Sequence, residues 1–88
     1  MVRATNERLE DMLSLDVPGR LAKWLLARAN VEGKVTLDQS QEALALSLGT
    51  TRVTLNRTLG RFTRLGWIET HGREIALRDI PALQAVVE

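Results

Sequence analysis

Residues 40–65, SQEALALSLGTTRVTLNRTLGRFTRL, contain two short helical patterns that are separated by Gly49. In the first pattern, Leu44 and Leu48 lie four residues apart. The second pattern repeats apolar residues at i, i+4 and i+7, namely Leu55, Leu59 and Phe62. Apolar residues at this spacing share one face of a helix, and the gap between the patterns has room only for a tight turn. The stretch therefore predicts a helix-turn-helix.

The residues at the ends of these two helices favour the same interpretation. Gly49 can adopt a left-handed backbone at little cost, so it can end the first helix and turn the chain. Ser40 and Thr51 stand where each helix begins, and a side-chain oxygen there can accept a hydrogen bond from an unpaired backbone amide. Ala45 is small enough to let the two helices approach closely. We therefore expect the helices to pack against each other across the turn.

Positive charge is concentrated on the second helix. Four of the twelve basic residues, and none of the eleven acidic ones, lie between Thr50 and Gly66. They are Arg52, Arg57, Arg61 and Arg64. Local basic charge matters more than the net charge of +1 when phosphates are the partner. Arginine is also a good helix former, so a solvated helix face is the alternative explanation.

The segments on either side of this stretch complete a fold. Residues 16–29 have the pattern of a capped amphipathic helix, and residues 35–37 are prone to form a short strand. Residues 67–77 contain two extended segments around a glycine, which predicts a β-hairpin. Residues 80–87 predict a last short helix with a cap at Asp79. The order is that of a winged helix, mainly α with a small antiparallel sheet. Its expected core includes Trp24, Leu44, Leu55, Leu59, Phe62 and Ile68.

The first residues of the chain form a separate prediction. Residues 4–15 have apolar residues on one side of a helix of about three turns, which is marginal when isolated. We interpret this helix as the end of a longer dimerisation-type helix. The domain division is then a terminal helix at residues 1–15 and a winged-helix domain at residues 16–88.

Composition excludes several classes of function. The 88 residues suffice for one small domain and include no cysteine, which rules out disulfides, thiolate zinc sites and iron–sulfur clusters held within the chain. The chain has one histidine and no set of nucleophile, histidine and carboxylate, so we do not expect an enzyme. It has no apolar run of membrane-spanning length and no signal region, which indicates a cytoplasmic protein without a membrane partner.

The chain resembles the C-terminal winged-helix domain of the Crp/Fnr family of bacterial transcription regulators. The resemblance lies in residues 15–22, 40–49, 51–59, 65–69 and 72–75. It implies sequence-specific binding of double-stranded DNA, as a homodimer formed through an N-terminal helix, with RNA polymerase as a further candidate partner. It also implies that an effector-binding domain would precede the chain, which would itself hold no cofactor. Residues 16–20 would be the hinge between the two parts.

A recognition helix at residues 51–65, lying in the major groove, would bring its N-terminal end nearest the bases. Arginine can bind guanine O6 and N7 in a bidentate way, which suits Arg52 and Arg57 to base contacts. Arg57 could alternatively bind a phosphate. Many family members have a glutamate where this chain has Val53. Valine cannot accept a hydrogen bond from cytosine, but it can contact a thymine methyl group. The expected base contacts are Arg52, Val53, Asn56 and Arg57.

A second set of residues is expected to contact phosphates through hydroxyl, amide or charged groups and the helix N-termini. These residues are Ser40, Gln41, Thr50, Thr51, Thr54, Arg61, His71 and Arg73. Simpler roles stay open for several of them. Ser40 and Thr51 can be plain caps, Thr50 a turn residue, and His71 an exposed residue of the hairpin turn.

One alternative function uses the same fold. Winged helices can also serve as protein–protein interaction modules that do not bind DNA. Neutralisation of the arginine-bearing face by acidic residues, or its coverage by another subunit, would favour that reading. Little retention on heparin or random duplex DNA, with little dependence on salt concentration, would favour it as well.

Overall fold

The computed structural model describes residues 16–87, so the helix predicted at residues 4–15 lies outside the described residues. The elements within this range are α1 (Val17–Arg28), β1 (Lys34–Thr36), α2 (Gln41–Ser47), α3 (Arg52–Arg64), β2 (Ile68–His71), β3 (Glu74–Leu77) and α4 (Ile80–Val87). The predicted fold class, mainly α with a small antiparallel sheet, is confirmed. No helix in this part of the chain is long and apolar enough to cross a membrane.

Each of the four helices begins at a side-chain cap. In every case a carboxylate or hydroxyl oxygen accepts a hydrogen bond from the backbone amide three residues further on, which satisfies a group that has no partner inside the helix. The caps are Asp16, Ser40, Thr51 and Asp79, with donor–acceptor distances of 3.3, 3.1, 3.2 and 3.1 Å. All four had been predicted from the sequence.

The connection between α2 and α3 is a tight turn at Gly49. Its φ of +72° lies in the left-handed region that residues with a Cβ rarely adopt. The amide of Thr50 donates a hydrogen bond of 2.9 Å to the carbonyl oxygen of Ala45, which brings the chain back against α2. Ala45 is itself buried. The helix-turn-helix prediction is therefore confirmed, with helix bounds close to the expected ones.

The sheet has the strand order β1-β3-β2, and both pairings are antiparallel. Ile75 of the central strand lies opposite Val35 on one side and Thr70 on the other. The β2–β3 hairpin ends with the pair His71 and Glu74, which leaves a two-residue turn between the strands. The short strand predicted before the helix-turn-helix thus joins the hairpin, and the three strands form the wing.

The core lies between the helices and the inner face of this sheet. Its fully buried large side chains are Val35, Leu21, Leu25, Leu44, Leu55, Phe62, Ile68, Ile75 and Leu83. The rings of Phe62 and Trp67 pack with their centroids 5.2 Å apart. The side chain of Leu83 is buried in the core and anchors α4, which packs against α1. Five of the six predicted core residues are buried.

Trp24 departs from that prediction, because it is only partly buried. Leu21, Ala22 and Leu25 occupy the inner face of α1, so the indole of Trp24 lies at the rim of the core. The guanidinium of Arg28 lies 4.9 Å from the ring centroid and shields its outer face. This arrangement is a cation–π contact rather than full burial.

Gly60, within α3, provides a test of local stability. A Cβ at this position would meet only Nη1 of Arg64 at 3.5 Å, an ordinary van der Waals distance. We expect Gly60→Ala to raise the free energy of unfolding by about 0.5–1 kcal/mol, because alanine restricts the unfolded chain and favours the helix. Urea unfolding followed by far-UV circular dichroism measures the change.

Gly49→Ala is the matched control for this substitution. It adds the same methyl group at a φ of +72°, so we expect it to lower the free energy of unfolding by about 1–2 kcal/mol. A loss of stability in Gly60→Ala would show that α3 does not tolerate a side chain at that position.

Candidate nucleic-acid interface

The four predicted base-contact residues are all exposed on the first two turns of α3. Arg52, Val53, Asn56 and Arg57 stand at helical spacing, whereas Leu55 and Leu59 of the same helix point into the core. A helix that buries one stripe and presents another can be held by the protein while its outer face meets a partner. The structure thus brings this predicted set together on the accessible side of α3.

The arginines of α3 form no ion pair with an acidic residue in the part of the chain that the structure describes. Arg61 and Arg64 are exposed, as are Arg52 and Arg57. The ion pairs among residues 16–87 involve Glu69 with Arg78 and His71, and none of the four arginines of α3 is in one of them. Neutralisation of the arginine-bearing face by acidic residues, which would favour a protein-binding module, is therefore not observed within this part of the chain.

The start of α2 lies beside the start of α3. Ser40, Gln41, Glu42 and Arg52 line one shallow depression, which joins the first of the predicted phosphate contacts to the first of the predicted base contacts. Hydroxyl and amide groups therefore lie next to a guanidinium, and next to the carboxylate of Glu42, at one edge of the exposed face. Such a grouping can bind a phosphate and a base edge in neighbouring positions.

The threonines at the turn have structural roles as well. The hydroxyl of Thr51 accepts the capping hydrogen bond and lies 3.1 Å from the hydroxyl of Thr54. Thr50 is half-buried and follows Gly49 in the turn. The simpler roles foreseen for Ser40, Thr51 and Thr50 are thus present in the structure. Their contacts with phosphate stay predictions.

An open groove of about 390 Å³ separates α3 from the hairpin. Asn56 and Gly60 line it from α3, Gln41 from α2, and Thr70 and Gly72 from the wing. Because Gly60 has no side chain, this part of α3 contributes little bulk to the groove. Two predicted site residues, Gln41 and Asn56, therefore share a surface with the wing.

His71 and Arg73 lie at the end of the hairpin, as predicted, and both are exposed. His71 is the last residue of β2, and its Nε2 lies 3.5 Å from Oε1 of Glu69. Arg73 donates from Nε to the carbonyl oxygen of Leu37 at 2.9 Å and from Nη2 to that of Gln39 at 3.3 Å. Arg73 thus ties the hairpin turn to the segment before α2. No local sequence pattern indicates that role, because the partners lie more than thirty residues away.

A second contact that the sequence did not reveal joins Arg78 to Glu69. The guanidinium of Arg78 donates hydrogen bonds to Oε1 of Glu69. These bonds and the charge of Arg78, with a smaller contribution from His71, hold the pKa of the Glu69 carboxyl below its ordinary value. The carboxylate thus stays ionised next to the only histidine of the chain.

We expect Arg78→Gln to raise the pKa of Glu69, because the substitution removes its main hydrogen-bonding and charged partner. In the parent, the lowered pKa means that the contribution of the pair to stability is complete above the unfolded pKa and is lost as pH falls through the folded pKa. A carbon-13 NMR titration of the Glu69 carboxyl measures the shift. Arg57→Gln is the control, since Arg57 does not contribute to that pKa. An unchanged pKa in Arg78→Gln would contradict this assignment.

Comparison with known proteins identifies a family whose members are similar to this chain. Residues 19–86 match the family model described as a Crp-like helix-turn-helix domain. The chain is 39% identical over 85 residues to the CRP-like cAMP-activated global transcriptional regulator of Mycobacterium tuberculosis, covering 89% of this chain and 38% of that protein. It is 29% identical over 87 residues to the transcriptional regulator SdrP of Thermus thermophilus, covering 92% and 43%. The chain thus spans about two-fifths of the length of these curated relatives.

Solved structures show the same fold. FixK2 from Bradyrhizobium japonicum superposes with a TM-score of 0.78 and 28% identity, covering 90% of this chain and 44% of that one. A CooA mutant from Carboxydothermus hydrogenoformans gives a TM-score of 0.77 and 28% identity, covering 91% and 40%. These matches and the observed element order confirm the prediction of a winged helix-turn-helix.

Proposed function

Because this chain belongs to the family of Crp-like helix-turn-helix domains, we propose that it binds double-stranded DNA in a sequence-specific manner, as the DNA-binding part of a bacterial transcription regulator. The family resemblance seen in the sequence is confirmed, as is the prediction that the chain is not an enzyme, since the relatives are transcriptional regulators. The observation that carries the proposal is the exposed face of α3, on which Arg52, Asn56 and Arg57 stand free of acidic partners among the described residues.

In the proposed complex α3 lies in the major groove with its N-terminal end nearest the bases. Arg52 binds a guanine through O6 and N7, and the amide of Asn56 is suited to an adenine. Arg57, one turn further on, binds either a second guanine or a phosphate. Val53 contributes an apolar surface between these polar groups.

The flanking elements would hold the sugar-phosphate backbone. Ser40, Gln41, Thr50, Thr51 and Thr54 surround the beginning of α3, and Arg61 lies further along that helix. His71 and Arg73 lie at the tip of the wing, next to Thr70 and Gly72, which line the groove beside α3. Support comes from the exposure or partial exposure of every one of these side chains. Backbone contacts of this kind position the recognition helix without reading sequence.

A single module buries little DNA, so we expect it to bind weakly without a second copy. The relatives are more than twice as long as this chain. We propose that the full regulator is a homodimer whose subunits meet through a helix preceding Asp16. An effector-binding domain would precede that helix, and RNA polymerase is the further partner that such a regulator would engage.

Binding of the chain to duplex DNA at several salt concentrations tests the proposal. Fluorescence anisotropy with a labelled random duplex should show an affinity that falls steeply as salt rises, because neutralised phosphates release counterions. A double variant, Arg57→Gln with Arg61→Gln, should bind more weakly and reduce the slope of log K against log salt by up to about 2.

The matched control removes the same charge from another surface, by Lys23→Gln with Arg28→Gln on α1. This pair should change affinity and slope much less. The DNA-binding proposal would be wrong if, at low salt, the parent chain bound duplex DNA no more tightly than it bound an uncharged polymer. A protein–protein interaction module would then be the better reading.

A further inference from the structure

Val53 is the one apolar side chain among the exposed residues of α3. It is 67% exposed, while the other exposed residues of this helix are Arg52, Asn56, Arg57, Arg61, Thr63 and Arg64. Single exposed apolar residues are common on proteins. This one, however, stands in the first turn of the helix, next to Arg52 and one turn from Arg57.

The fold offers no reason for a valine at this position. The core-facing residues of α3 are Leu55, Thr58, Leu59 and Phe62, and the cap is made by Thr51. A β-branched residue is also a weaker helix former than alanine or arginine. Exposed apolar residues such as Val31 and Leu46 occur elsewhere on the domain, but within α3 only Val53 stands on the face that carries the arginines.

The charge around Val53 favours nucleic acid as the partner of this face. No acidic residue lies between Thr50 and Gly66, whereas four arginines do. The one apolar group that a duplex presents in the major groove is the methyl group on C5 of thymine. The isopropyl group of Val53 has no donor and no acceptor. It can therefore recognise the methyl group but cannot distinguish O4 of thymine from N4 of cytosine.

We propose that Val53 makes DNA binding depend on a C5-methyl group of one pyrimidine. The chain then accepts 5-methylcytosine as well as thymine at that position, and it binds unmethylated cytosine or uracil less tightly. This inference rests on the proposed function and adds the chemical class of base that the site selects. It makes recognition sensitive to cytosine methylation.

A duplex panel tests the methyl group directly. Duplexes selected by the chain are remade with uracil for thymine at one position at a time, and their affinities are compared by anisotropy. At a position that responds, cytosine or 5-methylcytosine is then placed opposite guanine. We expect one position at which loss of the methyl group weakens binding roughly fourfold, the equivalent of burying one methylene-sized group. At the same position, 5-methylcytosine should bind roughly fourfold more tightly than cytosine.

Three variants assign the effect to Val53. Val53→Ala removes both γ-methyl groups and with them most of the apolar contact, and alanine favours the helix, so the thymine–uracil difference should shrink while the protein stays folded. In Val53→Glu a carboxylate can accept a hydrogen bond from N4 of cytosine, so cytosine should become preferred with no gain from methylation. Val31→Ala is the matched control, because Val31 is fully exposed in the turn after α1.

The outcomes separate the inference from the proposed function. A methyl effect at one position that is reduced in Val53→Ala and kept in Val31→Ala supports the inference. Sequence-selective duplex binding without a methyl effect at any position, or with an effect that is unchanged in Val53→Ala, overturns the inference alone. Failure of the parent chain to bind any duplex overturns the proposed function and the inference together.

Discussion

Replacement of Arg52 by alanine is expected to weaken binding to a selected duplex by roughly 5- to 150-fold and to relax the preference at one base pair. Arg52 is exposed at the first position of α3 and lies beside the start of α2. A bidentate arginine–guanine pair discriminates against the wrong base by about 1–3 kcal/mol. Anisotropy on the selected duplex and on its three single-base variants at each position measures both effects.

Arg64→Ala is the control for this prediction, since it removes the same group from the last turn of the same helix. Arg64 is exposed but far from the first turn, so its loss should reduce affinity for all sequences alike. If Arg52→Ala bound every duplex as tightly as the parent, Arg52 would not read a base. A uniform loss in Arg52→Ala would make it a phosphate contact.

Phe62→Ala is expected to lower the free energy of unfolding by about 3–5 kcal/mol. Phe62 is 1% exposed and its ring packs against Trp67, so the substitution removes apolar contacts and leaves a cavity. Domains of this size are stable by only about 5–15 kcal/mol, so the substitution would remove a large share of the total stability. Urea unfolding followed by tryptophan fluorescence measures the change.

A surface leucine provides the comparison for Phe62. Leu46 is 79% exposed on α2, and Leu46→Ala should change stability by less than about 0.5 kcal/mol. Phe62→Ala should reduce DNA binding only in proportion to the unfolded fraction, because the side chain does not reach the outer face of α3. Unchanged stability in Phe62→Ala would mean that the core is not built around this ring.

The features that the sequence predicted well are those with local causes. The caps at Ser40 and Thr51, the turn at Gly49 and the buried stripe of α3 each depend on residues within one or two turns of one another. Local spacing therefore determines them. The exposed candidate residues of α3 follow from the same spacing, since they occupy the face that the leucines leave free.

The features that the sequence did not reveal depend on contacts between distant segments. The helical pattern of residues 16–29 predicts Trp24 on the buried face, yet its place at the rim is decided by how α1 meets its neighbours. The bonds of Arg73 to Leu37 and Gln39 join segments that only the folded sheet brings together. Glu69 and Arg78 are only nine residues apart, but they meet only when the register of the β2–β3 hairpin is set. Tertiary packing determines such pairs, and no periodic pattern encodes them.

The bonds of Arg73 have a mechanical consequence. They attach the tip of the wing to the segment that leads into α2. A duplex that places its backbone against both the wing and the start of α2 must match their relative position or bend to it. The energy of bending depends on base-pair steps that no side chain touches, so selectivity can extend beyond the bases in contact with α3.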